Sequence, residues 1–482
     1  MAGPSRSASL EDPSDRSALA EACRLLEVQK TAFLADLNPP LSLRADRLDR
    51  LERMLNTHAD RFAAAINEDF GNRPALVTAM AEVMPVIAAI RRARRSLKGW
   101  SRPRAVAVEM VWRPGSAKII PQPLGVIGII APWNYPLQLA LAPLVAALAA
   151  GNHAMIKPSE MTPRLSALLK ACIAEVFHED EVAVVTGGPE FAAAFSALPF
   201  DHLLFTGSTQ VGRKVAEAAA GNLTPVTLEL GGKSPAIIDV TADLKTTAAR
   251  LTFSKLLNAG QTCIAPDYAL VPHAIRDDFV AAMRSAIARQ YPKIAGNADY
   301  NTIISERHAA RLRGLIEDAG AKGATIITIG DAGSDPRSIA PTLILDADDN
   351  MRVMQEEIFG PILPIVTAGT LDEAISQINA RDRPLALYWF GKDKTRQRQV
   401  LTQTISGGVC INDAMIHHLQ EALPFGGVGA SGMGHYHGAH GFRTFSKEKP
   451  VFFQSPFSAA TMVYPPFTGF SRRVVDILRR IA

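Results

Sequence analysis

One cysteine stands in a setting typical of a catalytic thiol. Cys263 lies in the stretch 256–265, LLNAGQTCIA, directly after Gly260, Gln261 and Thr262. Because Gly260 has no Cβ, the backbone beside this thiol can approach a ligand closely. Glu229 lies 34 residues earlier in the run LELGGK, and a single carboxylate in an apolar segment is costly to bury without a purpose. Together they predict a nucleophilic cysteine served by a general base.

The other three cysteines fit a different role. Cys23 and Cys172 lie in helical patterns and Cys410 in a short apolar strand, so we interpret all three as small inert core residues. Four irregularly spaced cysteines in 482 residues form neither a disulfide framework nor a metal site. We therefore expect no metal, free thiols and a cytoplasmic location.

Length and charge narrow the class of protein. A chain of 482 residues is too long for one hydrophobic core and predicts two or three domains. Its 51 basic and 47 acidic residues nearly balance, and only 6% of residues are aromatic. No basic run is interleaved with stacking aromatics, which argues against nucleic-acid binding.

Two segments of the sequence have to be tested as a possible membrane span and a possible secretory signal. Residues 119–156 carry no Asp, Glu, Lys or Arg, but five prolines interrupt them, which favours a buried strand, a turn and a buried helix over a membrane span. We therefore expect no membrane association. The first residues contain acids and prolines without an apolar core, so they predict a flexible tail and not a secretory signal.

Strands and helices alternate after an N-terminal helical region at 18–100. Short apolar strands are predicted at 126–131, 154–157, 182–186 and 203–206, with helices between them. This alternation predicts a doubly wound parallel sheet that binds its ligand at the carboxyl ends of the strands. Polar side chains follow those strands: Asn134, Lys157, Glu160, Gly207 and Ser208.

The dinucleotide fingerprint G-x-G-x-x-G does not follow any of these four predicted strands. Gly207 and Ser208 open a predicted helix, with Gly212 one turn further on, and the start of a helix can bind a pyrophosphate. The same pair is also typical of ordinary helix capping.

A second alternation begins near residue 228, with strands predicted at 235–239, 269–271, 325–329 and 362–366. Segments 105–112 and 117–122 predict a hairpin around Pro114 and Gly115, which 451–454 would join as a further strand. Residues 470–482 predict an amphipathic helix with arginines on one side; packing on a partner subunit is favoured over membrane contact.

Six motifs, in a fixed order, resemble the aldehyde dehydrogenase superfamily. They are Pro132-Trp133-Asn134, Lys157-Pro158-Ser159-Glu160, Phe205-Thr206-Gly207-Ser208, LELGGK, NAGQTC and Glu357-Ile358-Phe359-Gly360-Pro361. The glycine-rich run 424–438, PFGGVGASGMGHYHG, resembles the class 3 branch, and the whole chain is similar to the bacterial coniferyl aldehyde dehydrogenases. The resemblance covers residues 40–455.

The resemblance implies a fold and a domain order. The fold class is α/β, with a Rossmann-type NAD-binding domain, a second α/β catalytic domain and a β-hairpin oligomerisation arm. The domain boundaries are 1–20 for the flexible tail, 21–104 and 123–227 for the NAD-binding domain, 228–425 for the catalytic domain, and 105–122 and 440–482 for the arm and C-terminal tail. The arm implies a homodimer or a dimer-based oligomer.

The resemblance also implies roles for single residues. It implies that Cys263 attacks the aldehyde and that Glu229 activates the hydrolytic water. It also implies that Asn134 and the Cys263 backbone N–H bind the oxyanion. The segment Trp-Asn-Tyr-Pro that contains Asn134 is by itself also typical of a turn. The implied cofactor contacts are Lys157 and Glu160 at the adenosine ribose, Gly207, Ser208 and Gly212 near the pyrophosphate, Glu357 and Phe359 at the nicotinamide, and Pro132 and Trp133 beside them. Glu160 would repel a 2′-phosphate, which favours NAD, with NADP as the alternative.

The expected reaction is NAD(P)-dependent oxidation of an aldehyde to an acid through a cysteine thiohemiacetal and thioester. Tyr135, Leu256, Leu257 and Ile264 predict an apolar or aromatic pocket. The resemblance implies coniferyl aldehyde or a similar phenylpropenal, with medium- or long-chain aliphatic aldehydes as the alternative. A reductase of activated acyl groups needs no hydrolytic base, so Glu229 argues against it. A non-catalytic protein on this fold would be expected to lose its nucleophile or base, and this chain retains both.

Overall fold

The computed structural model describes residues 11–481, and helices fill the first part of them. They are α1 (Pro13–Ala35), α2 (Leu41–Phe70), α3 (Ala75–Thr78) and α4 (Met84–Trp100), with a π-helical turn at Ala79–Val83 before α4. Asp12 caps α1 by accepting from the Ser14 N–H at 2.7 Å, and Pro13 suits the first helical position. The predicted tail 1–20 is therefore too long: residues 1–10 lie outside the described part, and the helix begins at Pro13.

The amphipathic pattern of α2 is confirmed, since Leu48, Leu51 and Leu55 are fully buried.

A three-stranded arm follows α4. Its first strands, β1 (Arg104–Val106) and β2 (Ser116–Pro123), pair antiparallel. The predicted strand at 105–112 is wrong beyond Val106, because Met110–Trp112 forms a 3-10 turn closed by local backbone hydrogen bonds.

Strands and helices then alternate as predicted to build a first sheet. The strands are β3 (Val126–Ile130), β4 (His153–Lys157), β5 (Val182–Val184), β6 (His202–Thr206) and β7 (Val226–Glu229). The helices between them are α5 (Gln138–Ala150), α6 (Pro163–Val176), α7 (Pro189–Ser196) and α8 (Thr209–Ala220). All five strands run parallel, so their carboxyl ends share one edge of the sheet.

A second sheet follows. Its strands are β8 (Pro235–Ile238), β9 (Tyr268–Pro272), β10 (Thr325–Thr328), β11 (Thr342–Leu345), β12 (Ile362–Ala368), β13 (Ala386–Phe390) and β14 (Gly408–Ile411). Its helices are α9 (Leu244–Leu256), α10 (Arg276–Gln290), α11 (Glu306–Ala321), α12 (Arg352–Gln355), α13 (Leu371–Asn379) and α14 (Lys394–Gln403). The strand order is β10-β11-β12-β9-β8-β13-β14, and only β10 is antiparallel to its neighbour.

The chain then returns to the first sheet and to the arm. β15 (Gly432–Met433) pairs antiparallel with β7, giving the first sheet the order β15-β7-β6-β3-β4-β5. After α15 (Gly438–Thr444), β16 (Ser446–Phe453) pairs along the whole of β2, and the amphipathic α16 (Gly469–Ile481) ends the described residues. The predicted α/β fold with a doubly wound parallel sheet is confirmed.

The charge-free segment 119–156 contributes the buried helix α5. Among residues 11–481, no single helix has the length and apolar character needed to cross a membrane. One helix pair, α2 with residues 75–100, passes that test only jointly and is bent by 117°.

A fully buried ion pair joins the N-terminal helices to the loop after β3. The Arg73 guanidinium lies 2.8 Å from the Glu82 carboxylate, and its Nη1 donates to the Asn134 carbonyl at 2.8 Å. Glu82 in turn accepts from the Leu137 and Gln138 backbone N–H groups at 2.7 and 3.2 Å. Burial raises the pKa of Glu82, and the nearby Arg73 charge opposes this rise. The pair therefore fixes the loop that carries Asn134.

We predict that Arg73→Met lowers the free energy of unfolding by about 3–5 kcal/mol, because Glu82 is left as an uncompensated buried charge. Arg91→Met is the control, since Arg91 is exposed and its ion pair with Glu52 should be worth below about 1 kcal/mol. Denaturant unfolding followed by circular dichroism measures both variants. Equal losses in the two variants would contradict this account.

Candidate active site

Glu229 is the last residue of β7 and lies at the carboxyl end of the first sheet. Its side chain is buried, and neither carboxylate oxygen has a hydrogen-bond partner among the described residues. Burial raises the pKa of this carboxyl well above its usual range. An unpartnered acid of this kind becomes a strong proton acceptor once it is ionised, which is the property a general base requires. The predicted domain boundary at residue 228 divides β7, so Glu229 belongs to the first sheet.

Cys263 follows a strained turn at the end of α9. Asn258, Ala259 and Gly260 have φ values of 53°, 51° and 75°, a left-handed region that L-residues other than glycine rarely adopt. A Cβ on Gly260 would lie 2.3 Å from the Gly360 carbonyl oxygen, so only glycine fits there. The turn directly precedes Cys263, whose side chain is half-buried and packs against the edge of the core.

Three side chains hold this turn in place. Asn258 donates to the Asn134 carbonyl at 2.9 Å, and Asn134 Nδ2 donates to the Gln261 carbonyl at 3.2 Å. The Gln261 amide donates to the Thr302 carbonyl at 3.1 Å and accepts from the Ile304 N–H at 2.9 Å. The loop after β3 and the cysteine turn are thus joined by reciprocal amide hydrogen bonds. Only one of the two Asn134 amide hydrogens has a partner among residues 11–481, which leaves the other for a ligand.

Cys263 and Glu229 line the same two cavities, together with Thr206 and Leu230. The first cavity has a volume of about 170 Å³ and mostly apolar walls. The second, of about 260 Å³, extends along the carboxyl ends of β3, β6 and β7. The two sequence motifs that were predicted to converge therefore meet at the junction of two ligand-sized spaces.

The chemical state of the thiol differs from that of a preformed nucleophile. Burial raises the pKa of Cys263 to about 12, and the carboxyls of Glu357 and Glu229 add to the rise. At neutral pH the sulfur therefore keeps its proton in the free protein. A base or a bound ligand must promote ionisation before the sulfur can attack.

Most of the residues predicted to bind a cofactor line the second cavity. They are Pro132, Trp133, Gly207, Ser208, Glu357 and Phe359. Asn134, predicted to bind the oxyanion, lines it too. Ser208 is also the N-cap of α8, accepting from the Val211 N–H at 3.4 Å, so capping and a place in the cavity coexist in one residue. Such a cleft at the carboxyl ends of parallel strands, with a helix start in its wall, fits a dinucleotide.

Three other predicted cofactor residues do not line this cavity. Lys157 is the last residue of β4, and its side chain is buried, with only 2% of its surface exposed. Its ammonium donates to Glu160 at 3.1 Å and to the Pro158 carbonyl at 3.0 Å. Gly212 packs inside α8 against Leu230, where a Cβ would lie 2.6 Å from the leucine side chain. Its role in the fold is close packing beside the site.

Glu357 reaches the cavity because Gly231 has no side chain: a Cβ there would lie 2.1 Å from the Glu357 carboxylate. This contact gives the glycine pair after Glu229 a physical reason. Glu357 lies two residues after the end of α12. Lys233 pairs with Asp267 and donates to the Glu356 carbonyl at 3.0 Å, which anchors the segment. Burial raises the pKa of Glu357 to about 8.

Two residues of the second cavity had no sequence signal. His308 and Arg311 come from α11 and lie on one wall. The His308 ring packs edge-on to Trp133 at 5.3 Å, and Arg311 donates to the Glu357 carbonyl at 3.2 Å. Arg311 therefore positions the segment that carries Glu357 and Phe359. Neither residue lies near a recognisable motif, so only the folded chain brings them here.

The first cavity has the predicted apolar character. Tyr135, Leu257 and Ile264 line it, whereas Leu256 is buried in the core beneath. Sequence reasoning missed a second wall, from the segment between β14 and α15: Met415, Ile416, His418, Leu419, Phe425 and Tyr436. These residues lie more than 150 positions from Cys263. Their approach to the thiol depends on the return of the chain to the first sheet.

The interpretation of Cys23, Cys172 and Cys410 as core residues is correct for only one of them. Cys172 is buried, Cys410 is partly buried and Cys23 is exposed on α1. None of the four cysteines forms a disulfide.

Known proteins share both the sequence and the architecture. The profile of the Aldehyde dehydrogenase family matches residues 16–451. A probable coniferyl aldehyde dehydrogenase of Pseudomonas aeruginosa is 50% identical over 447 residues, which cover 93% of this chain and 94% of the relative. The substrate-bound AldH of Staphylococcus aureus superposes with a TM-score of 0.90 at 38% identity, covering 94% of this chain and 99% of that one. A Mycobacterium tuberculosis aldehyde dehydrogenase complexed with NAD+ gives a TM-score of 0.82 at 30% identity, covering 91% and 90%.

The raised pKa of Cys263 gives a testable pH dependence. In the free protein, the rate of Cys263 alkylation by iodoacetamide should rise about tenfold per pH unit from pH 7 to 9, because only the thiolate reacts and its fraction grows with pH. Mass spectrometry of the peptide that contains Cys263 measures the rate, and the exposed Cys23 provides an internal reference. A plateau below pH 8 would show that the thiol ionises much earlier.

Proposed function

Because this chain belongs to the aldehyde dehydrogenase family, we propose that it oxidises an aldehyde to a carboxylic acid, with NAD as the first choice of cofactor and NADP as the alternative. The observation that carries this proposal is the junction of two cavities at Cys263 and Glu229. One cavity is apolar and suits the aldehyde, and the other has the residues and location of a dinucleotide cleft. A nicotinamide held by the residues of the second cavity would supply the acceptor for the hydride that leaves the aldehyde carbon.

The first stage uses Cys263 and Asn134. Cys263 Sγ loses its proton and forms a bond to the aldehyde carbon, which converts the carbonyl oxygen to an oxyanion. The free hydrogen of the Asn134 amide and the Cys263 backbone N–H are the donors proposed for this oxyanion. Loss of hydride from the resulting thiohemiacetal leaves a thioester on Cys263.

The second stage uses Glu229. Water must cleave the thioester, and Glu229 lines the cavity beside Cys263 without any competing hydrogen bond among the described residues. An ionised Glu229 takes a proton from the water as its oxygen bonds to the thioester carbon. The sulfur then leaves and regains a proton, and the acid is released. We propose the same carboxylate as the acceptor of the thiol proton in the first stage; it then releases that proton to solvent and is ionised again before it takes one from the water.

The assignments of the cofactor residues are proposals as well. Pro132, Trp133, Gly207, Ser208, Glu357 and Phe359 are supported by their place in the second cavity. We assign Lys157 and Glu160 to the adenosine ribose on the family pattern, with Gly212 supporting the start of α8. The exposed carboxylate of Glu160 would repel a 2′-phosphate, which supports the preference for NAD.

We propose coniferyl aldehyde or a related phenylpropenal as the substrate. The Pseudomonas aeruginosa relative carries that activity in its name and is 50% identical. Tyr135, Phe253 and Phe425 give the cavity an aromatic wall that suits an aryl ring. Among the described lining residues no Lys or Arg is present, which disfavours substrates with a carboxylate.

We also propose an oligomeric state, a domain order and a cellular location for this protein. The antiparallel arm of β1, β2 and β16 supports a homodimer or dimer-based oligomer, and the exposed apolar side chains of α16 support packing on a partner subunit. We propose the domain order given by the sequence, with the start of the catalytic domain moved to follow β7. Four free cysteines support a reducing, cytoplasmic location.

Cys263→Ala should lower the turnover of coniferyl aldehyde by more than about a thousandfold, because no other group can form the thioester. Purified wild-type protein and the variant are assayed for acid product with coniferyl aldehyde and octanal, each with NAD and NADP. Cys23→Ala is the matched control and should keep its activity, since Cys23 is exposed on α1. Retained turnover in Cys263→Ala would remove the nucleophile assignment.

Glu229→Gln should form reduced cofactor in a first burst equal to one turnover and then slow about 10²–10³-fold, because thioester hydrolysis loses its base. Stopped-flow absorbance at the reduced nicotinamide band measures the burst and the steady state. Glu217→Gln, which changes an exposed carboxylate on α8, is the control. An unchanged steady-state rate in Glu229→Gln would exclude the base role.

A further inference from the structure

A pair of polar side chains lines the apolar cavity in addition to the residues assigned to the reaction. Gln138, at the start of α5, is buried, and its Nε2 lies 3.4 Å from Nε2 of His418. This separation is at the long end of the hydrogen-bond range, so the direct contact is weak. The Gln138 backbone N–H donates to the buried Glu82 carboxylate, which fixes the position of the residue. Both side chains face a cavity whose other walls are largely hydrophobic.

Aromatic rings hold His418 in place. Its ring centroid lies 4.5 Å from that of Phe425 in an edge-on arrangement and 4.9 Å from that of His437. Tyr436, which packs on His437 at 4.5 Å, is buried and lines the same cavity. A rigid wall of this kind favours an aromatic ligand, because ring edges and faces can pack against it.

Gln138 and His418 are both uncharged, and this limits the chemical groups of a ligand that they can bind. Burial lowers the pKa of His418 to about 3, with the neighbouring His417 adding to the effect, so the ring is neutral at pH 7. A neutral imidazole has one accepting nitrogen and one N–H donor. Because the amide nitrogen of Gln138 can only donate, the contact between the two side chains assigns Nε2 of His418 as the acceptor. A carboxylate could only accept, and a methyl group could do neither. A hydroxyl group can donate to the imidazole nitrogen and accept from the amide nitrogen at the same time.

We propose that Gln138 and His418 form a specificity subsite for a phenolic hydroxyl on the aryl ring of the substrate. The hydroxyl donates its hydrogen to Nε2 of His418, and its oxygen accepts from Nε2 of Gln138. This inference rests on the proposed oxidation of an aryl aldehyde, and it adds the substituent by which one aryl aldehyde is distinguished from another. An analogue without the hydroxyl leaves the buried pair without its polar partner, which penalises its binding.

The test compares 4-hydroxycinnamaldehyde with cinnamaldehyde, which differ only in the hydroxyl. In the wild-type protein with NAD, kcat/KM should favour the hydroxylated substrate roughly tenfold, the effect of one or two hydrogen bonds between neutral groups. His418→Phe keeps a ring but removes the acceptor, so the ratio of the two kcat/KM values should fall towards one. His418→Gln keeps a polar group at a similar reach and should restore much of the ratio. His435→Phe is the matched control, since His435 is exposed and does not line the cavity.

The outcomes separate this inference from the proposed function. If both aldehydes are oxidised by the wild-type protein at equal kcat/KM, or if His418→Phe keeps the wild-type ratio, the subsite is refuted while the oxidation stands. If the wild-type protein oxidises neither aldehyde, the proposed substrate class itself fails. A loss of the ratio in His435→Phe would also overturn the assignment, because the effect would then not depend on the cavity wall.

Discussion

The active site depends on the left-handed turn of Asn258, Ala259 and Gly260, because that turn directly precedes Cys263 at the junction of the two cavities. Positive φ is costly for Asn258 and Ala259, and amide hydrogen bonds from Asn258 and Asn134 offset this cost. Gly260 adopts its positive φ without a steric cost and leaves room for the Gly360 carbonyl oxygen. The proposed nucleophile is therefore positioned by two loops that are hydrogen-bonded to each other, and the buried Arg73 guanidinium holds one of these loops through the Asn134 carbonyl.

Burial has the same effect on the two groups proposed to react, the thiol and the carboxyl. It raises the pKa of both the Cys263 thiol and the Glu229 carboxyl in the free protein, since each charged form would lie in a largely apolar space. A thiol in this state is protected from adventitious oxidation and alkylation. Entry of a substrate and a cofactor changes the surroundings of both groups, so the chemistry is coupled to occupancy of the cavities.

Much of the fold follows from the sequence, because short apolar runs separated by amphipathic helices leave few alternatives to a doubly wound sheet. The strands at 342–345 and 386–390 escaped detection, since a short apolar run alone does not distinguish a strand from a buried helix. β15 has only two residues in a glycine-rich run and carries no strand pattern. Motifs predicted Cys263, Glu229 and Glu357 at one site, whereas His418 and Arg311 reach it through tertiary packing and have no local signal.

The orphaned carboxyl of Glu229 has an evolutionary consequence. A polar group that is desolvated and unbonded is a point of local frustration, and an apolar side chain of similar size would pack there at lower free energy. On the proposed base role of Glu229, selection for thermal stability alone would favour an apolar replacement at this position, whereas selection for thioester hydrolysis would retain the acid.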